Sequence, residues 1–183
     1  MSEAELLLIA VAMILATGLI RCVDGIYYAT ISQHRYWIPQ VLLWSTFIYG
    51  VNFLWGFKND LSGSPTYMMY VSSVGICATF VLRSRILASS NAEQIEDWAD
   101  HFDKTARPYF FLAFLTSVSA IVFGMANGDS TGFDPVSIPF WIGAGLNAIG
   151  AISRKVWVRG TIAVAYLTLV LLASYILFSN EMV

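Results

Sequence analysis

The sequence predicts an all-α membrane protein, a bundle of six transmembrane helices with one amphipathic helix at the cytosolic interface. Three observations lead to this fold class. The chain of 183 residues is 57% hydrophobic but only 12% charged, and its mean hydropathy is +0.67. Its apolar residues fall into six runs, each close to the length that spans a bilayer. Its basic residues gather almost entirely in alternate linkers.

The shortage of charged residues excludes several classes of protein. Soluble domains carry roughly 25% charged residues, so this chain has too few to cover a surface that faces water. A formal net charge of −2 gives no basic surface for nucleic acid. The acidic start of the chain, residues 1–5, is unlike the basic beginning of a signal peptide. We therefore expect the lipid bilayer as the surrounding medium and no nucleic-acid partner.

Six apolar runs define the predicted helices, which form a single transmembrane domain over residues 1–183. Trp37 and Trp55 lie near the two ends of the second run, as aromatic residues at membrane interfaces do. Pro139 suits the first turn of the fifth run. The predicted spans are 5–22, 36–57, 66–84, 108–126, 136–153 and 160–178.

The basic residues predict the orientation of the chain in the membrane. Nine of them lie in or beside the linkers that follow the first, third and fifth runs, and Lys58 alone lies elsewhere. Because Lys and Arg accumulate on the cytosolic side, these three linkers are predicted to be cytosolic and both termini outside. We expect a bacterial inner membrane. The nine residues are Arg21, Arg35, Arg83, Arg85, Lys104, Arg107, Arg154, Lys155 and Arg159.

The hairpin over 35–85 has landmarks that return in 104–154. Six identities link the two segments at a constant offset of 69 residues: Pro39/Pro108, Leu43/Leu112, Asp60/Asp129, Gly63/Gly132, Ser84/Ser153 and Arg85/Arg154. One interpretation is a parallel internal duplication, like the repeats of transporters. The other is that any two membrane hairpins need Pro at a helix start, Asp and Gly at a turn and Arg at the cytosolic end.

Small and polar residues inside the predicted spans recur every three or four positions, which places them on single helix faces. One interpretation is close packing, since small residues let membrane helices approach. The other is a polar path. Asn52 and Asn147 are the main candidates, because an amide in hydrocarbon must find a partner. The candidate pore-lining or ligand-binding residues are Ser45, Tyr49, Asn52, Ser72, Thr79 and Asn147.

Catalytic and metal-binding patterns are scarce in this chain. No acid or base lies in the middle of a predicted span, where ion-coupled transporters place one. The cysteines Cys22 and Cys77 have no metal or redox spacing. Both histidines, His34 and His101, fall in predicted cytosolic linkers. We expect no enzyme activity, no cofactor and no metal site.

The charged linker 85–107 contains the predicted amphipathic helix, over 91–106. Ser90 and Glu93 have the spacing of a capping box. Glu93, Asp97 and His101 recur every four residues, opposite an apolar stripe that would face lipid or the bundle. Histidine changes charge near physiological pH, so these three residues are candidate regulatory residues. The alternative is that this helix only caps the bundle.

Two functions from different classes remain open. The first is a small channel or carrier for an ion or a small neutral solute. The second is a non-catalytic accessory or scaffold subunit of a larger membrane complex. Expected partners are the bilayer and either further copies of the chain or a membrane partner subunit.

Overall fold

The computed structural model describes residues 2–60, 65–89, 91–128, 131–133 and 137–179. These residues form six α-helices and one turn of 3-10 helix, with no β-strand among them, so the predicted all-α fold is confirmed. The helices are α1 (Glu3–Ile31), α2 (Trp37–Asp60), α3 (Tyr67–Ala88), α4 (Trp98–Asn127), α5 (Ile138–Ile152) and α6 (Val156–Ser179), and the 3-10 turn is Ala92–Gln94.

The six helices form a closed ring. In neighbour order it runs α1, α3, α4, α5, α6, α2 and back to α1, and α2 also touches α3 across the interior. The α3–α4 contact is the most extensive, followed by the α4–α5 contact. Side chains from all parts of the chain therefore face one shared interior.

Helix α1 extends nine residues beyond its predicted end at residue 22. Its buried positions continue at spacings of three and four past the polar segment near Asp24, because this face packs against α2 and α3 rather than facing water. Gly25 lies so close to Ala88 of α3 that an added Cβ would be 2.7 Å from that methyl group. The buried residues are Leu7, Val11, Leu15, Gly18, Cys22, Gly25 and Ala29.

The prediction of a separate amphipathic helix over 91–106 is wrong. Residues 98–106 are the first turns of the 30-residue helix α4, which runs through Pro108 without ending. The proposed cap Ser90 lies outside the described residues. Instead, Asp97 caps α4, its Oδ1 accepting hydrogen bonds from the backbone N–H groups of Ala99 (2.8 Å) and Asp100 (3.2 Å).

The apolar stripe of this segment packs inside the bundle and does not lie on lipid. Trp98, Phe102 and Ala106 are buried in one apolar cluster that also includes residues of α1, α2, α3 and α6. Burial of side chains of this size stabilises a fold by roughly 1.5–3 kcal/mol each. This gain offsets the hydrogen bond that α4 loses at Pro108, which has no backbone N–H. The helix can therefore begin at Trp98, ten residues before the proline.

The landmarks of the proposed repeat occupy different places in the two hairpins. Pro39 is in the first turn of α2, whereas Pro108 lies inside α4. Ser84 lies within α3, whereas Ser153 is the C-cap residue of α5. Helices α4 and α5 pack closely, but α2 and α3 touch only slightly. Residues 61–64 and 129–130 of the two turns lie outside the described residues, and the duplication stays a prediction.

The core consists of two apolar clusters, one towards each end of the helix bundle. The first lies towards the basic linkers and includes Trp98, Phe102 and Phe110. The second lies towards the other end and includes Phe57, Phe80 and Phe123. We call them the basic-end cluster and the far-end cluster. A layer of polar side chains lies where they meet.

The outer surface of the bundle is apolar. Large hydrophobic side chains are exposed on every helix, including Met13 of α1, Phe111 of α4 and Ile149 of α5. Four segments are long and apolar enough to cross a membrane: Glu3–Ile31, Tyr67–Gln94, Trp98–Asn127 and Val156–Ile176. Within the described residues, Ile138–Ile152 is apolar but shorter. These features are compatible with an integral membrane protein.

Candidate functional site

The centre of the candidate site is Arg83 of α3. Its place near the end of an apolar run predicted a cytosolic position, but the structure buries it completely, with 0% of the residue exposed. Its cationic head lies over the ring of Tyr49, which is halfway along α2. Arg83 is at the end of the predicted span 66–84 and not in its middle, yet its side chain lies inside the bundle.

Aromatic residues surround the guanidinium group of Arg83. Its Cζ lies 4.8 Å from the ring centroid of Tyr49 and 5.4 Å from that of Phe80, both within the range of cation–π attraction. Its Nη1 donates a hydrogen bond to the hydroxyl of Tyr166 on α6, at 3.4 Å. Side chains of α2, α3 and α6 therefore meet at this cation.

Three buried polar atoms at this point have no hydrogen-bond partner in the described part of the chain: Nε and Nη2 of Arg83 and the hydroxyl oxygen of Tyr49. No described carboxylate forms an ion pair with Arg83. The two ion pairs found among the described residues, Lys104–Asp100 and Arg159–Asp103, lie elsewhere. Arg83 is thus a buried cation without a protein counter-ion within the described segments.

Leaving such a group unpaired is expensive. An ion in a protein interior costs several kcal/mol unless an opposite charge and hydrogen bonds compensate it. The second buried arginine, Arg159, has that compensation, because its Nη1 lies 3.2 Å from Oδ1 of Asp103. Arg159 thus has a counter-ion among the described residues and Arg83 has none, although Nε of Arg159 is also without a hydrogen-bond partner there.

The polar groups beside this centre are satisfied. The hydroxyls of Thr46 and Tyr109 lie 2.9 Å apart, in hydrogen-bonding contact between α2 and α4. The thiol of Cys22 on α1 donates to the Ser84 hydroxyl at 3.4 Å. These pairs hold four helices around Arg83, so the unpartnered atoms belong to a fixed frame.

Of the predicted pore-lining residues, Tyr49 alone touches this centre. The hydroxyls of Ser45 and Ser72 donate to carbonyls of their own helices, at 2.7 and 2.6 Å. Thr79 receives a hydrogen bond from Thr116 of α4 at 3.0 Å. Ser45, Ser72 and Thr79 thus make hydrogen bonds typical of helix packing.

The two asparagines lie in different surroundings. Asn52 donates from Nδ2 to the hydroxyl of Ser174 on α6, at 2.6 Å, so it joins two helices. Asn147 is buried, and its Nδ2 has no partner in the described segments. Asn147 lies one turn after Gly143, where an added Cβ would be 3.7 Å from the Tyr166 ring. The nearest atom to that Cβ is Ser117 Oγ of α4, at 3.4 Å, so Asn147 is on a face of α5 that lies near both α4 and α6.

The three candidate regulatory residues do not form a helical stripe. Glu93 is in the 3-10 turn and lines an open surface pocket of about 510 Å³ with Tyr28, His34 and Glu96. Asp97 caps α4. The Nε2 of His101 lies 3.0 Å from the carbonyl oxygen of Leu87. These contacts join the linker to α1 and α3, and a regulatory role stays a prediction.

A hydrolase-like motif occurs in the α4–α5 connection. Residues 128–132 read Gly-Asp-Ser-Thr-Gly, which matches Gly-x-Ser-x-Gly. In hydrolases that motif lies between a strand and a helix. Here Gly128 is the C-cap of α4, so the motif follows a helix, and Ser130 itself lies outside the described residues. The structural context is not that of a nucleophile elbow.

Sequence reasoning missed Arg83 because it treated all basic residues as markers of the cytosolic side. One signal was present. Arg83 is four residues after Thr79 and seven after Ile76, so it continues the inward face of α3. The neighbouring Arg85 departs from that face and is exposed.

No protein-family model, no curated protein and no solved structure matches this chain at a significant level.

Proposed function

We propose that this protein is an integral membrane carrier with six spans, and that its solute binds in the interior polar layer centred on Arg83. The observation that carries this proposal is the buried guanidinium group whose Nε and Nη2 have no partner in the described residues, beside the equally unpartnered hydroxyl of Tyr49. Ionisable groups inside membrane bundles mark substrate or ion pathways. The proposal moves the centre of the path from Asn52 and Asn147 to Arg83.

The packing on either side of Arg83 favours a carrier over a permanently open channel. The basic-end cluster closes one side of the polar layer and the far-end cluster closes the other. A solute that crosses must separate first one cluster and then the other. This is the sequence of movements in alternating access around a fixed midplane site.

Transport is tested with purified protein in liposomes. We expect solute uptake with the wild type and uptake near the protein-free background with Arg83→Gln, because the amide lacks the charge and the fork of donors. The matched control is Arg85→Gln, two residues along the same helix on an exposed position, which should keep wild-type uptake. Absence of uptake of any small ion or neutral solute by the wild type, with a partner protein that co-purifies stoichiometrically, would instead favour the accessory-subunit function.

The proposed orientation is tested by labelling single introduced cysteines with a membrane-impermeant maleimide in intact cells. We expect Thr131→Cys to react from outside, and Arg35→Cys and Arg154→Cys to react only after lysis. All three positions are exposed, whereas the native Cys22 and Cys77 are buried and give little background. Labelling of Thr131→Cys and Arg154→Cys from the same side would contradict the topology.

A further inference from the structure

We propose that the solute of this site is a small monocarboxylate, whose carboxylate is bound side-on by Nε and Nη2 of Arg83, with the Tyr49 hydroxyl as a third donor. This inference rests on the proposed function for the location of the site. It adds the chemical class of the ligand and predicts binding that can be measured without transport.

The first step of the argument is the identity of the unpartnered atoms. Nε and Nη2 lie on the same edge of the guanidinium plane, and their N–H groups point outward in parallel. Nη1, on the other side, is engaged by Tyr166. Two parallel donors match the two oxygens of a carboxylate, and such bidentate pairs are the strongest that arginine forms. A halide ion, which is a single acceptor atom, matches these two parallel donors less well than a carboxylate does.

The second step is charge balance. Within the described residues Arg83 forms no ion pair, and its contacts are with the rings of Tyr49 and Phe80 and the hydroxyl of Tyr166. One cation in apolar surroundings is neutralised by one negative charge. A phosphate dianion would leave an excess charge that no cation in contact with Arg83 compensates, and burial of an uncompensated charge is unfavourable. A monoanion is therefore favoured.

The third step concerns the walls. The guanidinium group lies near the rings of Tyr49 and Phe80, 4.8 and 5.4 Å from their centroids, and Phe80 is completely buried. A third aromatic ring, that of Tyr166, provides the hydroxyl at its edge. Aromatic walls suit a carboxylate whose remaining part is short and apolar. They offer few hydrogen-bond partners to a sugar or a peptide.

The fourth step is the Tyr49 hydroxyl. Its oxygen is buried without a partner although the ring that carries it lies against the guanidinium group. An oxyanion on the Nε/Nη2 edge of Arg83 that also accepts a hydrogen bond from the Tyr49 hydroxyl would give all three unpartnered atoms a partner. That single ligand removes the unsatisfied buried groups of this centre.

The experiment measures thermal unfolding of the full chain in phosphatidylcholine nanodiscs, with sodium acetate or propionate against sodium chloride and sodium phosphate at equal ionic strength. A ligand that binds only the folded protein raises the unfolding temperature with concentration. We expect acetate and propionate to raise the unfolding temperature of the wild type, and we expect chloride and phosphate to leave it unchanged. Nanodiscs with phosphatidylglycerol test the lipid headgroup as the source of the oxyanion.

The variants separate binding by Arg83 from a structural role. Arg83→Lys keeps the charge but loses the fork, and we expect an apparent Kd about 10- to 100-fold higher. Tyr49→Phe keeps the ring but loses the hydroxyl, and it should raise the apparent Kd about tenfold. Arg85→Lys is the matched control and should bind as the wild type does. Arg83→Met should unfold in chloride at a temperature equal to or above that of the wild type, because it removes an uncompensated charge.

The outcomes decide the proposal. A response to acetate or propionate that is lost in Arg83→Lys and kept in Arg85→Lys supports it, even if liposomes show no uptake, which would reject transport alone. No response in the wild type, or a response that survives Arg83→Lys, overturns it, even if a neutral solute is transported. A larger response to phosphate, or loss of the acetate response in phosphatidylglycerol, assigns the site to a phosphate group and also overturns it.

Discussion

Replacing Trp98 by alanine is expected to lower the free energy of unfolding by about 3–5 kcal/mol, the usual cost of deleting a large buried aromatic side chain. Trp98 is 0% exposed and packs in the basic-end cluster at the first residue of α4. Loss of its ring leaves a cavity at the contact between α4 and its neighbours. The measurement is unfolding in mixed micelles of dodecylmaltoside and sodium dodecyl sulfate, followed by circular dichroism.

Trp157 provides the matched control for this prediction. It is also near the start of a helix, α6, but 69% of it is exposed, so Trp157→Ala should change the free energy of unfolding by less than about 1 kcal/mol. Similar small effects of both substitutions would mean that Trp98 lies on a surface. That result would restore the amphipathic interfacial helix over 91–106.

The Phe80→Ala substitution is expected to lower the free energy of unfolding by a similar amount, about 3–5 kcal/mol, and to disturb the proposed solute site. Phe80 is a buried wedge between α1 and α2, where glycines make room for its ring. A Cβ added at Gly18 would lie 2.5 Å from one ring carbon, and one added at Gly50 would lie 2.6 Å from another. The same ring lies 5.4 Å from the Arg83 guanidinium group, so its loss also removes one wall of the site.

A double-mutant cycle tests this wedge. In the wild type, Gly50→Ala should destabilise by about 1–3 kcal/mol, because the new methyl group overlaps a ring that cannot move away. In the Phe80→Ala background the same change should cost clearly less, since of the three nearest atoms only Leu19 Cδ2, 3.0 Å from the added Cβ, then remains. The difference between the two is the coupling free energy of the contact.

Gly56 is the control for the cycle, since it lies in the same helix and has no atom within 4 Å of an added Cβ. Gly56→Ala should be neutral or stabilising by up to about 1 kcal/mol. Equal effects of Gly50→Ala in the two backgrounds would show that Phe80 does not fill the space between α1 and α2.

The helices of this protein could be predicted from the sequence because the signals are local. Apolar runs of bilayer length identified six helices, and the structure has six within its described residues. Pro139 is in the first turn of α5, and Gly128, with a φ of +81°, ends α4 in the left-handed conformation that glycine adopts most readily. Such signals depend on a residue and its near neighbours in the chain, and these are known before any folding.

The interior of the bundle depended on contacts between distant parts of the chain. Whether Arg83 marks a helix end or lies inside is decided by Tyr49 and Tyr166, which are far from it in sequence. Trp98, at the first residue of α4, is likewise buried in a cluster with residues that are distant in sequence, such as Ala29 and Ile162. Hydropathy assigns a free energy to each residue in isolation. The burial of Arg83 and the start of α4 at Trp98 both depend on which helices become neighbours in the ring. A linear pattern contains no information on which helix faces will meet.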